Sequence, residues 1–283
     1  MVDNDSSDGS FELLMSKYPE CVGIKNSENG GFSRGTNIGM QYAYKEGAEY
    51  IMLLNNDVEV TAGFIEPMME EFTNNEDVGM VTPKIMFRNP NNIIWQAGGF
   101  INVKIVSAIS YGYREVDAGQ YDQICETGWA SGACSIIKRS TVEKIGFLDE
   151  FYFFGQEEWD YSVSALKQKI KIIYAPKSIV YHEIGASTNV RPSLSVYQNY
   201  RNKLYFGKKH KSVFNYLAWI IIFFAYVLFL FPRPSHVLGK SDYFKRAAKM
   251  AGILAFKYHF LNIWVDKNHL DLIESRLKKR YDK

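Results

Sequence analysis

An α/β fold built on a mostly parallel sheet is what this sequence predicts, and three observations carry it. Short apolar runs alternate with helix-like segments from Val22 to about Tyr174, the pattern of strands joined by helical crossovers. One run, Tyr50-Ile51-Met52-Leu53-Leu54, ends abruptly in Asn55-Asn56-Asp57-Val58-Glu59, as a buried strand does where its carboxyl end opens into a site. The 283 residues, 47% of them hydrophobic and 23% charged, are enough for one large α/β domain or two smaller ones.

In order along the chain, Val2 closes a strand, and Asp3 to Ser10 is turn chemistry. Ser10 or Asp8 is placed to cap a helix over Phe11–Tyr18. Val22–Lys25 is a short strand, Ser27–Asn37 a glycine-rich loop, and Asn37–Gly47 a helix. Tyr50–Leu54 is the next strand, followed by a helix over Gly63–Asn74 and a strand over Gly79–Pro83. Residues 84–128 are irregular, with Trp95, Gly98, Gly99 and Gly112 suggesting hairpins or an inserted flap. A strand over Trp129–Lys138, a helix over Arg139–Ile145, a turn over Gly146–Asp149, a helix over Trp159–Lys169 and a strand over Ile170–Tyr174 complete the alternation. It fades after His182, and residues 196–283 read as largely helical.

Composition excludes several classes. A net charge of +2 gives no electrostatic footprint for nucleic acid. Cys21, Cys125 and Cys134 are far apart and odd in number, so they fit neither a zinc spacing nor a disulfide framework and point to a reducing compartment. The polar start MVDNDSSDGS does not read as a signal peptide. Residues 214–231 are almost wholly apolar, with Lys208, Lys209 and Lys211 before them and Arg233 after. As a helix this run spans roughly 27 Å, just short of a hydrocarbon core. It reads as a borderline span, an interfacial helix, or a helix buried in protein or an oligomer contact.

Five segments carry polar chemistry. Asp57 and Glu59, two apart on an extended backbone, point the same way and suit a hard divalent cation holding a diphosphate. Asp3, in the first turn, is placed to accept from a nucleobase or ribose. The run Asn29-Gly30-Gly31-Phe32-Ser33-Arg34-Gly35-Thr36-Asn37-Ile38-Gly39 lets backbone approach a ligand, with Arg34 to neutralise phosphate, although it is neither the dinucleotide nor the P-loop fingerprint. Glu157, Glu158 and Asp160 at a helix start either complement the helix dipole or supply a general base. His182 follows a strand-like run, and nothing local gives it a partner.

Taken in order, these segments resemble the family 2 glycosyltransferases, nearest the branch of rhamnosyl- and galactofuranosyltransferases, over roughly residues 1–210. The strand ending VDN-x-S-x-DGS is matched by Val2–Ser10, and the N-x-GF-x-x-G-x-N-x-G loop by Asn29–Gly39. The metal motif is matched by Asn55–Glu59, and W-x-SGA with its apolar strand by Trp129–Ile137. The GF-DE-x-FF stretch leading to an acidic helix start is matched by Gly146–Asp160, the strand before His by Ile179–His182, and the aromatic RN helix by Tyr200-Arg201-Asn202.

The resemblance implies a GT-A (Rossmann-like) fold over residues 1–195. Residues 1–83 would form the nucleotide-sugar half and 84–195 the acceptor half, before a helical region over 196–283 that is partly membrane-associated. It implies an inverting transfer of a hexosyl or rhamnosyl group from a nucleotide-diphosphate sugar to a hydroxyl of a glycan or lipid-linked acceptor, in polysaccharide synthesis at the cell envelope. Asp3 would contact the base, Asn29 and Arg34 the ribose or phosphate, and Asn56 and Asp57 the donor. Asp57, Glu59 and His182 would hold Mn²⁺ or Mg²⁺. Glu158 would be the base, with Glu157 second. Trp129, Ser131, Gly132, Trp159 and Asp160 would line the acceptor side. The place of action would be cytoplasmic, at the inner face of the membrane, with no nucleic-acid partner and a homo-oligomer possible.

One departure stands out. The family sheet begins upstream of the VDN segment, so its first strand, first helix and most of its second strand are expected to be missing here by truncation. That opens a second expectation: a non-catalytic relative acting as a nucleotide-sugar-binding or scaffold subunit.

Overall fold

The computed structural model describes residues 1–183, 192–230, 242–261 and 275. The elements run β1 (Val2–Asp3), α1 (Ser10–Lys17), β2 (Ile24–Lys25), α2 (Gly31–Lys45), β3 (Tyr50–Leu54), β4 (Val58–Val60), α3 (Glu66–Asn74) and β5 (Val78–Phe87). Then come β6 (Ile94–Gln96), β7 (Gly99–Asn102), β8 (Ser107–Ser110), β9 (Cys125–Glu126), β10 (Cys134–Lys138), α4 (Arg139–Ile145), α5 (Glu157–Lys167) and β11 (Lys171–His182). Helices α6 (Pro192–His210), α7 (Val213–Ala225) and α8 (Asp242–Phe260) follow, α7 running on into a π-helical segment, Tyr226–Leu230.

The class is α/β, but the large sheet is mixed rather than mostly parallel. Its order is β3-β10-β5-β11-β4, with β6 on β5 and β9 on β11. Strand β11 runs parallel to β5, whereas β10 runs antiparallel to both β3 and β5. Chain order gives the reason: β10 arrives from the irregular region and inserts between two strands already laid down, entering from the opposite end. Strands β1 and β2 form a separate parallel pair, and α2 packs on both β1 and β3.

Strand alternation sends neighbouring residues to opposite faces. Met80, Ile137 and Ile172 pack with Met40 of α2, Val142 of α4 and Tyr161 and Ala165 of α5. Their neighbours Val81, Ile136 and Ile173 pack with Met68 and Phe72 of α3. The sheet is therefore covered by helices on both sides, which is what near-continuous apolar strands require.

Strands β5 and β11 outrun the expected stretches. The Pro83-Lys84 pair reads as a strand end, yet β5 continues, because Lys84 Nζ reaches the Asp117 carboxylate at 2.9 Å and Asp122 at 2.5 Å. Both acids come from the irregular region, and a buried lysine is tolerated only with such partners. Burial works to lower the Lys84 pKa; the hydrogen bonds to Asp122 and Asp117 outweigh it and leave it raised. Strand β11 passes Pro176 by a register shift between Ala175 and Ile179, so the proline sits where a ladder bond is already missing. The β7–β8 hairpin is the expected flap.

Among the described residues, the late region is helical. Helices α6, α7 and α8 share a core of Tyr197, Tyr200, Leu204, Ile220, Val227, Ala251, Ala255 and Phe256. No helix of the described residues is long and apolar enough to cross a membrane; residue 231, the end of the apolar run, lies outside the described residues.

Candidate active site

The apolar strand β3 ends at Leu54, and Asn55–Asp57 turns into β4, with Val58 N–H donating to Asn55 O at 3.3 Å. Strand β11 pairs antiparallel with β4, setting His182 opposite Val58. This register puts His182 Nε2 3.1 Å from Asp57 Oδ1. The contact lacks hydrogen-bond geometry: Asp57 Oδ1 and His182 Nδ1 are both buried without a hydrogen-bond partner. A buried carboxylate oxygen in that state costs free energy unless something else satisfies it. Carboxylate oxygen beside imidazole nitrogen is a donor set that suits Mn²⁺. The Asp57 oxygen and the His182 ring therefore have the chemistry to hold such a cation.

Glu59 is not part of that pair. It was expected to point with Asp57, but Asp57 lies in the turn rather than on the strand, so the two-residue alternation does not begin there. Glu59 instead faces Arg88, with Nε 3.3 Å from its carboxylate, and Arg88 also holds Glu183 at 2.5 Å. Among the described residues no three His, Cys, Asp or Glu side chains converge. Asn56 is exposed at the tip of the turn.

The same turn is tied to the acidic helix. Asn55 N–H donates to Ala133 O at 3.0 Å, and a Cβ added at the adjacent Gly132 would lie 3.9 Å from Glu158 Cβ and 3.4 Å from the Phe32 ring. Helix α5 begins at Glu157. Glu157 Oε2 and Glu158 Oε2 are buried without a hydrogen-bond partner. Burial, and then the neighbouring Glu158 charge, push Glu157 well above the usual carboxylate range; burial also raises Glu158. Two adjacent carboxyls in this setting do not both ionise freely. A proton-accepting carboxylate with an elevated pKa is what general-base chemistry uses.

Helix α2 begins at Gly31, six residues before the expected start, so most of the glycine-rich segment is its first turns. Gly31 has φ +86° and lies so close to Phe153 that a Cβ there would sit 2.3 Å from Phe153 O. Phe32 N–H donates to that same carbonyl at 2.6 Å. Asn29 Oδ1 accepts from Gly31 N–H at 3.0 Å in the turn that leads into the helix. Arg34 is half-exposed and paired with Glu28 at 2.6 Å. Asp3 is buried and accepts from Ser6 N–H at 3.0 Å.

Three expected acceptor-side residues turn out to build the wall rather than line it. Trp129 is buried, and its indole N–H donates to Ile109 O at 3.4 Å, anchoring the β7–β8 hairpin. Ser131 is buried, and its hydroxyl accepts from Ala133 N–H at 3.1 Å. Asp160 is buried against Lys209 at 2.8 Å, His210 at 2.7 Å and the Tyr152 hydroxyl at 3.2 Å, which locks α5 to α6. These three partners hold the buried carboxylate against α6. Trp159 is half-buried beside Trp129, ring centroids 6.4 Å apart, and a Cβ at Gly132 would lie 3.9 Å from Glu158 Cβ.

Sequence reasoning gave no role to the residues that hold these pieces together. Asn37 is buried and clasps the segment before α5, donating to Leu148 O at 2.9 Å and accepting from Leu148 N–H at 2.9 Å. Asn4 donates to Gly31 O at 2.7 Å. Arg201 is buried, lies 3.8 Å over the Phe151 ring and donates to Phe151 O at 2.6 Å. Asn202 donates to Phe154 O at 3.0 Å and Gly155 O at 2.6 Å. Burial lowers the Arg201 pKa to about 10. The signal was present in the asparagines of the glycine-rich and VDN segments and in the RN pair, but their partners are backbone carbonyls, which sequence does not mark.

Comparison with known proteins bears on the family and the fold. The family model described as "Glycosyltransferase like family 2" matches residues 1–204. The chain is 26% identical over 211 residues to the low-salt glycan biosynthesis hexosyltransferase Agl10 of Haloferax volcanii, covering 72% of this chain and 64% of that protein. It is 22% identical over 239 residues to the N-acetylglucosaminyl-diphospho-decaprenol L-rhamnosyltransferase of Mycobacterium tuberculosis, covering 77% of this chain and 73% of that one. The chain therefore spans a little under two thirds of the length of the first of these relatives. Its fold is similar to that of GalNAc-T7, solved with UDP, GalNAc and Mn²⁺, at a TM-score of 0.58 and 14% identity, covering 93% of this chain and 51% of that one. With the family model matching well over half its length, this chain belongs to the glycosyltransferase family 2.

Proposed function

We propose that the chain is an inverting, metal-dependent glycosyltransferase that moves a hexosyl or rhamnosyl group from a nucleotide-diphosphate sugar to a hydroxyl of a glycan or lipid-linked acceptor. One observation carries the reading. The Asp57–His182 contact and the buried Glu158 carboxyl are joined through Asn55, Ala133 and Gly132. The names of the two relatives support the substrate class: one acts in glycan biosynthesis, the other on a diphospho-decaprenol sugar.

Asp57 and His182 would hold Mn²⁺ or Mg²⁺, which, when bound, stabilises charge developing on the leaving diphosphate. The acceptor oxygen attacks the anomeric carbon as the bond from that carbon to the diphosphate oxygen breaks. The acceptor's proton passes to a Glu158 carboxylate oxygen, with Glu157 beside it holding the shared proton in the resting pair. The start of α2, with Asn29 and Arg34, faces the donor, and Asp3 lies at the adjoining strand end. Residues 1–195 form the catalytic unit in this reading, and the reaction takes place at the cytoplasmic face of a membrane.

The test is turnover of candidate donors carrying rhamnose, galactose, galactofuranose and N-acetylglucosamine, by the full chain with Mn²⁺. Consumption of one donor that disappears in Asp57→Ala and in Glu158→Gln is the expected result. Donor binding with no turnover of any donor would overturn it in favour of a non-catalytic sugar-nucleotide-binding subunit.

A further inference from the structure

Helix α7 is inverted relative to a water-facing helix. Its inner side, Tyr216, Trp219, Ile220 and Phe223, packs on the α6–α8 core. Its outer side is apolar too: Val213 is 77% exposed, Phe214 81%, Leu217 54%, and Ile221 and Ile222 70% each. These positions follow the three- and four-residue spacing of a single helix face. Asn215 is the only side chain with a polar group on that face, and α7 contains no charged residue. At the far end of α8, Phe260 is 68% exposed and Leu261 57%. A contiguous apolar surface of this kind marks an interaction site.

Charge indicates the occupant. Helices α6, α7 and α8 contain one acidic residue, Asp242, against basic residues throughout α6 and α8. Lys208 is exposed in the last turn of α6, just ahead of α7, whereas Lys211 is taken up by Lys104 O at 2.6 Å. Lys257 is exposed one turn before Phe260. Apolar side chains flanked by lysines match the boundary of an anionic bilayer, where acyl chains take the former and headgroups the latter. The 13 residues of α7 reach about 20 Å before the Tyr226–Leu230 segment, long enough to lie in the interface, and no helix of the described residues is long and apolar enough to cross.

We propose that α7 lies in the plane of an anionic lipid surface, with Phe214, Leu217, Ile221 and Ile222 inserted among the acyl chains and Lys208 and Lys257 at the headgroups. It rests on the membrane-face part of the reading above and not on its chemistry. Helix α6 joins the two functions: Arg201 and Asn202 hold the loop before Glu157, and the same helix leads into α7.

The test is flotation of the full chain with phosphatidylglycerol–phosphatidylcholine vesicles, without donor or metal, so that failure of sugar transfer leaves it untouched. Wild type is expected to float, with binding reduced roughly tenfold or more by Ile221→Asp/Ile222→Asp, and severalfold by Lys208→Glu at low salt only. Phe214→Ser, at the solvent-facing start of the helix, gives a second reading where the double variant fails to fold. Absence of vesicle binding by the wild-type chain, or equal binding by well-folded variants, would overturn the proposal. So would a wild-type dimer in light scattering that the same substitutions convert to monomer, since the face would then belong to a second copy.

Discussion

Asp57 and His182, 125 positions apart in sequence, meet at 3.1 Å across the β4–β11 ladder without forming a hydrogen bond. The β4–β11 ladder holds the His182 backbone, and Glu183 N–H, donating to Asp57 O at 3.1 Å, ties the turn to it. A cation between Oδ1 and Nε2 would satisfy the Asp57 oxygen. Asp57→Ala and His182→Ala are each expected to weaken Mn²⁺ binding, measured by titration calorimetry with nucleoside diphosphate present, by at least about tenfold. Glu59→Ala is expected to leave it nearly unchanged, because Glu59 faces Arg88. Equal losses for all three would place Glu59 back among the ligands.

The Glu157–Glu158 pair predicts a pH signature. Burial raises both carboxyls, so the neutral forms are favoured in the folded chain. Stability from this source is complete below the unfolded carboxylate pKa near 4.5 and is lost as pH rises through the higher folded values. Glu157→Gln should therefore raise Tm at neutral pH and lose that advantage near pH 4. Sugar transfer should fall on acidification with a midpoint above 4.5, since Glu158 must be unprotonated to act. A Tm gain independent of pH would show that the pair is not strained by ionisation.

Gly31 predicts a steric effect. Its φ of +86° disfavours any L side chain, and a Cβ would meet Phe153 O at 2.3 Å. Gly31→Ala is expected to destabilise by roughly 1–3 kcal/mol or more in chemical denaturation. It should also displace the loop before α5, lowering kcat. A neutral variant would mean that the loop yields freely.

Asp160 separates wall from lining. Removing its charge leaves Lys209 without one of its two carboxylate partners and His210 and Tyr152 without an ionised acceptor. Asp160→Ala is expected to cost about 3–5 kcal/mol of stability. In whatever fraction folds, acceptor KM should be unchanged. A selective rise in KM with full stability would restore Asp160 to the acceptor side.

Asn202→Ala tests the link from α6 to the acidic loop. It removes two partly buried hydrogen bonds to backbone carbonyls and is expected to cost about 2 kcal/mol. Activity should fall more than the folded fraction, since the loop leads directly into Glu157.

Much of this was written along the chain. Apolar runs gave Tyr50–Leu54 and Arg139–Ile145 with their bounds, because local period and turn residues mark those ends. The ordered motifs identified the family, since each is a local string whose residues need not meet for the string to be seen. Other features depended on distant partners. Lys84 reads as a strand end until Asp117 and Asp122 are beside it. Asp160 reads as a site residue until Lys209 and His210 enclose it.

The sequence alone determined the α/β class, the family and the residue types that metal and proton chemistry require. Only the tertiary structure decided which carboxylates are free. Asp57 and the Glu157–Glu158 pair keep buried oxygens without hydrogen-bond partners, while Glu59, Asp160 and Asp149 are taken up by Arg88, Lys209 and their neighbours. The reason is physical: a side chain's chemistry is local to its residue, but its availability depends on what the fold sets within hydrogen-bonding distance of it.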